Sequence, residues 1–188
     1  MSLKPRISKG TRDFNSQEIA DREYVFDIIK KNFQLYGYQP IETPSFELRE
    51  NLLGKYGVDA DRLVFKILNS GEKLRNANLS ALEDNLLTKF ANSLSEKALR
   101  YDLTVPLARY VSQNQNEIIF PFKRYQIQPV WRADRPQKGR FQEFYQCDAD
   151  LLGSDSLWPE IEFIKLFDSV FTDLKLGAVN LKINNRKI

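Results

Sequence analysis

The sequence contains no histidine and one cysteine, Cys147, among 188 residues. Without histidine, no Ser-His or Cys-His nucleophile system can exist within the chain. One thiol and no imidazole also argue strongly against a structural zinc site, which takes four such ligands. A lone cysteine cannot form an internal disulfide, which fits a reducing, cytoplasmic compartment. No apolar run approaches the roughly 18 residues of a membrane-spanning helix, so no membrane segment is expected. Residues 1–10 lack the apolar core of a signal peptide. Any chemistry must therefore rest on carboxylates, guanidinium groups, amides, hydroxyls and aromatic rings.

What is present is the mixture of an ordinary globular chain, with 42% hydrophobic and 28% charged residues. A chain of this size buries roughly 70% of its unfolded surface, which is enough for a real core. The net charge of +3 is too small to argue by itself for a nucleic-acid partner. Its distribution says more: Lys123, Arg124, Arg132, Arg135, Lys138 and Arg140 crowd into one short stretch.

Periodicity orders the chain. Ile19, Phe26, Ile29, Phe33 and Tyr36 recur at helical spacing and predict a helix over Asn15–Tyr36. Asn15 and Glu18 suit a capping box, and Gly37 suits the stop. Tyr38–Pro44 reads as extended, with Pro40 and Pro44 confining it to a sheet edge or an interface. Leu63–Leu68 reads as a short strand. Residues 69–97, rich in Asn, Ser, Lys and Glu, read as a surface insert with one helix near Leu79–Phe90. Leu99–Leu103 is expected to be a strand, followed by a helix over Thr104–Gln113 with Pro106 in its first turn. Phe122–Arg132 and Arg140–Leu152 read as two long strands joined by a basic loop. A second long helix is expected over Ser156–Lys175, with Ile161, Ile164, Phe167, Phe171 and Leu174 on one face. Alternating Val179, Leu181 and Ile183 predict a last strand. The order implies an α+β domain around an antiparallel sheet.

The strand pair carries the chemistry. Side chains alternate along a strand, so Phe141, Glu143, Tyr145, Cys147, Ala149 and Leu151 share one face, which, Glu143 apart, is expected to be the core side. Arg140, Gln142, Phe144, Gln146, Asp148 and Asp150 share the other. A solvated outer face explains such a row about as well as a site does. Read as a site, it is a floor for a nucleotide: arginines match phosphate oxygens, and a ring offers adenine a stacking face worth ~1–3 kcal/mol. Likewise, Asp102 and Thr104 could simply cap the helix that follows them, and Asp150 could be a turn residue.

The stretch RADRPQKGRFQEFYQCDAD, Arg132–Asp150, resembles motif 2 of class II aminoacyl-tRNA synthetases, in which an arginine precedes a loop and an R-x-x-x-F pair, here Arg140 and Phe144. Its loop is similar to that of histidyl-tRNA synthetases in particular. GYQPIETPSF, Gly37–Phe46, resembles motif 1. KGTRDF, Lys9–Phe14, and RYDLTVPLARY, Arg100–Tyr110, are similar to further segments of the histidine enzymes. Trp131 and Asp134 stand where the family has Phe and Glu. The resemblance covers nearly the whole chain and implies a class II-like antiparallel sheet flanked by helices. It implies a partial catalytic domain over residues 1–188, ending before motif 3 and the anticodon-binding domain and therefore inactive or weak alone.

By resemblance, ATP with Mg²⁺ would activate histidine to histidyl-adenylate, and histidine would pass to its tRNA. Arg132 would hold the α-phosphate and the reacting carboxylate as the main catalytic residue. Arg140 would hold the outer phosphates and Phe144 would stack on adenine. Asp102, Leu103, Thr104, Gln146 and Asp150, with Arg132, would form the histidine pocket. No protein ligand to the metal is implied. The Gly37–Phe46 segment would form a homodimer. Two rival readings remain: a histidine-sensing regulatory paralogue of a histidine-biosynthesis enzyme, and a basic nucleic-acid-binding domain without chemistry. The intact set Arg132, Arg135, Lys138, Arg140 and Phe144 favours the enzyme.

Overall fold

A computed structural model describes residues 4–54 and 62–184. In chain order its elements are α1 (Ser16–Leu35), β1 (Gln39–Pro40), β2 (Phe46–Leu48), α2 (Arg49–Leu52), β3 (Lys66–Ile67), α3 (Glu72–Arg75), α4 (Leu79–Glu83), α5 (Leu87–Ser93), β4 (Lys97–Leu99), α6 (Thr104–Asn114), β5 (Phe122–Trp131), β6 (Glu143–Leu152) and α7 (Trp158–Asp173). This is the α+β class that the element order implies. One sheet has the order β1-β5-β6, the other β2-β4-β3. Among the described residues, no helix is long and apolar enough to cross a membrane.

The chain forms two compact units. One comprises Asp13–Ile41, Ile119–Ile127 and Cys147–Ile188. Its first helix begins as the sequence predicts. The Asn15 side chain accepts from the Glu18 amide, and the Glu18 carboxylate accepts from the Asn15 amide, both at 2.9 Å. Gly37, with φ +81°, ends the helix. Phe33, Tyr38, Tyr125, Leu166 and Val170 form the core, with Ile29, Tyr36, Phe163 and Leu174 packed around them. Burying a side chain such as Leu166 contributes about 1.5–3 kcal/mol.

Polar ties fix α7 against α1 and β5. Asn32 donates to Asp173 at 2.9 Å, Tyr38 donates to Glu162 at 3.0 Å, and Lys123 reaches the same carboxylate at 2.6 Å. Burial, and then the Glu162 carboxylate, push the Tyr38 phenol far above its ordinary value. β1 lies parallel to β5, with Gln39 opposite Arg124 and Pro40 opposite Tyr125. It forms the sheet's edge, the place its proline allows.

The other unit comprises Met1–Arg12, Glu42–Ile118 and Gln128–Gln146. β4 lies between β2 and β3 and is antiparallel to both, pairing Glu47 and Lys66 across Ala98. Leu52, Val64 and Ala98 form its core. Buried Glu47 holds Arg109 of α6 by a forked pair, with Nη2 at 2.7 Å and Nε at 2.8 Å.

Several expectations are corrected. The sheet containing β5 is mixed, because β1 joins it in parallel. The alternating Val179–Ile183 segment forms no strand. The expected strand Leu99–Leu103 is β4, ending at Leu99, because the chain turns at Arg100 to start α6. Residues 69–97 carry three short helices in place of one, broken at Asn85, whose φ is +58°. β6 starts at Glu143, since Arg140 belongs to the loop. The buried stripe of α7 runs through Leu166 and Val170, while Ile161 and Phe167 are exposed.

Candidate active site

Arg132 directly follows β5, and its amide donates to the Gln142 carbonyl at 2.9 Å, which closes the basic loop. Its guanidinium lies 4.4 Å from the Tyr101 ring centroid and 5.2 Å from that of Phe144. Such contacts hold a cation by the negative face of each ring. Its Nε donates to the Tyr101 carbonyl at 3.2 Å. Arg132 and Phe144, expected to serve phosphate and adenine, are thus neighbours. A partly buried guanidinium beside a flat ring can meet an anion and a π-system together.

Arg140 is more than half exposed and bonds the Asp134 carboxylate through Nη2 at 2.9 Å and Nε at 3.2 Å. A phosphate held by Arg140 would have to share it with Asp134. The Asp134 carbonyl accepts from Gln142 Nε2 at 2.9 Å. The N-terminal segment docks on the residues that lead into β6. The Gly10 carbonyl accepts from the Gln142 amide at 2.7 Å, and Arg12 lies 5.9 Å from the Phe141 ring. Gly10 has φ +79°, and an added Cβ would come within 2.6 Å of Gln142 Cγ, so only glycine fits there.

Asp102 accepts from the Val105 amide at 3.3 Å, so it does help to start α6. Thr104 is exposed at the first turn. Leu103 is wholly buried, side chain and main chain alike, and presents no surface to a ligand. Gln146 on β6 is partly buried. Glu143 is exposed, as the one polar residue of its face, but Tyr145, expected on the core side of β6, is 42% exposed as well. Further along, Ala149 packs on the core.

Asp150 belongs to the other unit, where it forms an ion pair at 2.5 Å with Arg124, a residue with no exposed surface. Sequence reasoning placed Arg124 only in the basic cluster. Its shared parity with Gln126 and Gln128 on β5 was the available signal.

Tyr101, which flanks Arg132, was also missed, although it precedes Asp102 in the Arg100–Tyr110 segment. So was Arg100, almost completely buried. It donates through Nε to the Pro129 carbonyl at 2.8 Å and through Nη1 to the carbonyls of Thr43 at 2.6 Å and Pro44 at 3.2 Å. Burial pulls its guanidinium below the usual arginine value, against Glu42, Glu47 and Tyr145.

Comparison with known proteins supplies the family. The profile described as "Histidyl-tRNA synthetase" matches residues 70–188. A "Histidine--tRNA ligase" of Christiangramia forsetii is 63% identical over 188 residues, covering all of this chain and 41% of the relative. The same-named protein of Flavobacterium johnsoniae is 58% identical over 206 residues, covering all of this chain and 43% of the relative. The crystal structure of histidyl-tRNA synthetase from Nostoc sp. PCC 7120 superposes with a TM-score of 0.71 at 28% identity, covering 92% of this chain and 35% of that one. A Bacillus halodurans C structure described as an ATP phosphoribosyltransferase regulatory subunit/histidyl-tRNA synthetase shares the fold, with a TM-score of 0.72 at 22% identity, covering 94% and 40%. The chain belongs to the histidyl-tRNA synthetase family. It spans well under half the length of the relatives it matches.

Proposed function

We propose that this chain supplies the residues that join histidine to ATP in a cytoplasmic histidine–tRNA ligase. The observation that carries the reading is the setting of Arg132, a guanidinium held between Tyr101 and Phe144 at the end of β5. The histidine carboxylate attacks the α-phosphorus, the bond to the β-phosphate oxygen breaks, and pyrophosphate leaves. Arg132 neutralises charge building on the α-phosphate and orients the attacking carboxylate. Such phosphorus chemistry needs placement and electrostatic stabilisation rather than a protein nucleophile, in keeping with a chain that has no histidine. Phe144 holds adenine and Arg140 the outer phosphates. Asp102, Thr104 and Gln146 read the ammonium and imidazole of histidine. Transfer follows when a terminal hydroxyl of histidine tRNA attacks the activated carbonyl and AMP leaves.

Mg²⁺ accompanies ATP in this reading. Among the described residues, no group of three His, Cys, Asp or Glu side chains could hold a metal ion. The regulatory reading is less favoured, because the loop cations Arg132, Arg135, Lys138 and Arg140 are all present and relatives at 58–63% identity carry the ligase name.

The test is calorimetric titration with a stable histidyl-adenylate mimic beside mimics of other amino acids, for wild type and Gln146→Ala. Preference for the histidine mimic, weakened about tenfold or more by the substitution, is expected. Equal binding of all mimics would reject the specificity assigned to Gln146.

A further inference from the structure

We infer that Arg100 is the positioning residue that sets Arg132, an inference that rests on reading Arg132 as the phosphate-binding arginine. A buried guanidinium is costly unless its donors are satisfied, and an apolar side chain could fill the same volume. The hydrogen bonds of Arg100 run to main-chain carbonyls in two segments remote in sequence, Thr43–Pro44 and Pro129. Its own amide donates to the Ser45 carbonyl at 3.1 Å, and its carbonyl accepts from the Trp131 amide at 3.1 Å. The guanidinium also lies 5.6 Å from the Trp131 ring.

One side chain therefore fixes the end of β5 relative to the Arg100–Tyr101 backbone. The next residue on each segment completes the link: the Tyr101 carbonyl accepts from Arg132 Nε, and the Tyr101 ring lies against the Arg132 guanidinium. Bonds to carbonyls fix backbone rather than side chains, as the placement of Arg132 requires. Arg100 has no part in touching substrate. It determines where the arginine that does so can stand.

Arg100→Lys keeps the charge but has one donor nitrogen where Arg100 uses two, Nε toward Pro129 and Nη1 toward Thr43 and Pro44. Two readouts separate positioning from general support. The first is hydrogen exchange of the Arg132 Nε–H, observed by nitrogen NMR and assigned through its loss in Arg132→Lys. The second is calorimetric binding of the histidyl-adenylate mimic against histidinol, which lacks the carboxylate and phosphate that Arg132 would meet. In folded Arg100→Lys, Arg132 Nε–H exchange should quicken about tenfold and mimic binding should weaken about tenfold, with histidinol binding held within about twofold. Unchanged exchange, or equal weakening for both ligands, overturns the inference. If wild type binds neither ligand, the reading of the site fails, and the exchange result alone still decides the link between the two arginines. Should Arg100→Lys not fold, wild type in rising urea decides the matter. Joint loss of protection at the two Nε–H groups supports the link, and exposure of Arg100 while Arg132 stays protected overturns it.

Discussion

At the scale of single residues, burial turns ordinary side chains into unusual ones. Cys147 is the clearest titratable case. Burial, and then the neighbouring Asp148, push its thiol up to about 11. In the unfolded chain that proton leaves near ~8.5. Between those values the unfolded state sheds a proton that the native state keeps, so rising pH favours unfolding. The contribution is fully present below about pH 8.5 and is lost as pH climbs toward 11. Tyr38, with its phenol also raised, acts in the same direction above about pH 10. Urea melts at pH 8 and pH 10 should therefore show a loss of stability that is smaller in Cys147→Ala than in wild type. Identical losses would mean that Cys147 does not titrate as its burial requires. The same scale explains which site residues could be read early. Arg132, Arg140 and Phe144 announce themselves because cations and a ring recur in one strand–loop–strand pattern. Arg100 and Arg124 do not, because arginine is ordinarily exposed and a sequence gives no sign that a particular one is enclosed.

At the scale of elements, local signals succeed where the determinant is itself local. Helix α1 starts at a reciprocal pair of bonds between Asn15 and Glu18, both exposed. Asn15→Ala should cost about 1 kcal/mol of stability, seen as a lower urea midpoint with an unchanged slope. An unchanged midpoint would mean that the core, through Phe33 and Leu166, makes the cap redundant. By contrast, Val179, Leu181 and Ile183 alternate as a strand should and form none, because strand preference measures fit to a neighbouring strand. Helix α7 shows a related failure. Its period was legible, but its buried stripe through Leu166 and Val170 is set by contact with Phe33 and Tyr125.

At the scale of the whole molecule, we propose that copies of the chain associate through the Gly37–Phe46 segment, on its resemblance to motif 1. The Gly37–Phe46 segment includes edge strand β1 and the exposed Phe46. Sedimentation at tens of micromolar should show a species of twice the chain mass, and Phe46→Glu should shift it toward monomer. A monomer across that range in the wild type would remove this segment as a dimer interface. The sequence by itself determined the class of fold, the main helices, the long strand pair and the set of side chains fit for anion and ring chemistry. These follow from periodicity, caps and residue type, which act over a few positions. Tertiary structure alone decided that Tyr101 flanks Arg132, that Asp134 holds Arg140, that Arg124 backs Asp150 and that Arg100 ties Thr43 to Pro129. Each joins groups from separate stretches of chain, and only packing brings them within the few ångströms over which hydrogen bonds and ring contacts act.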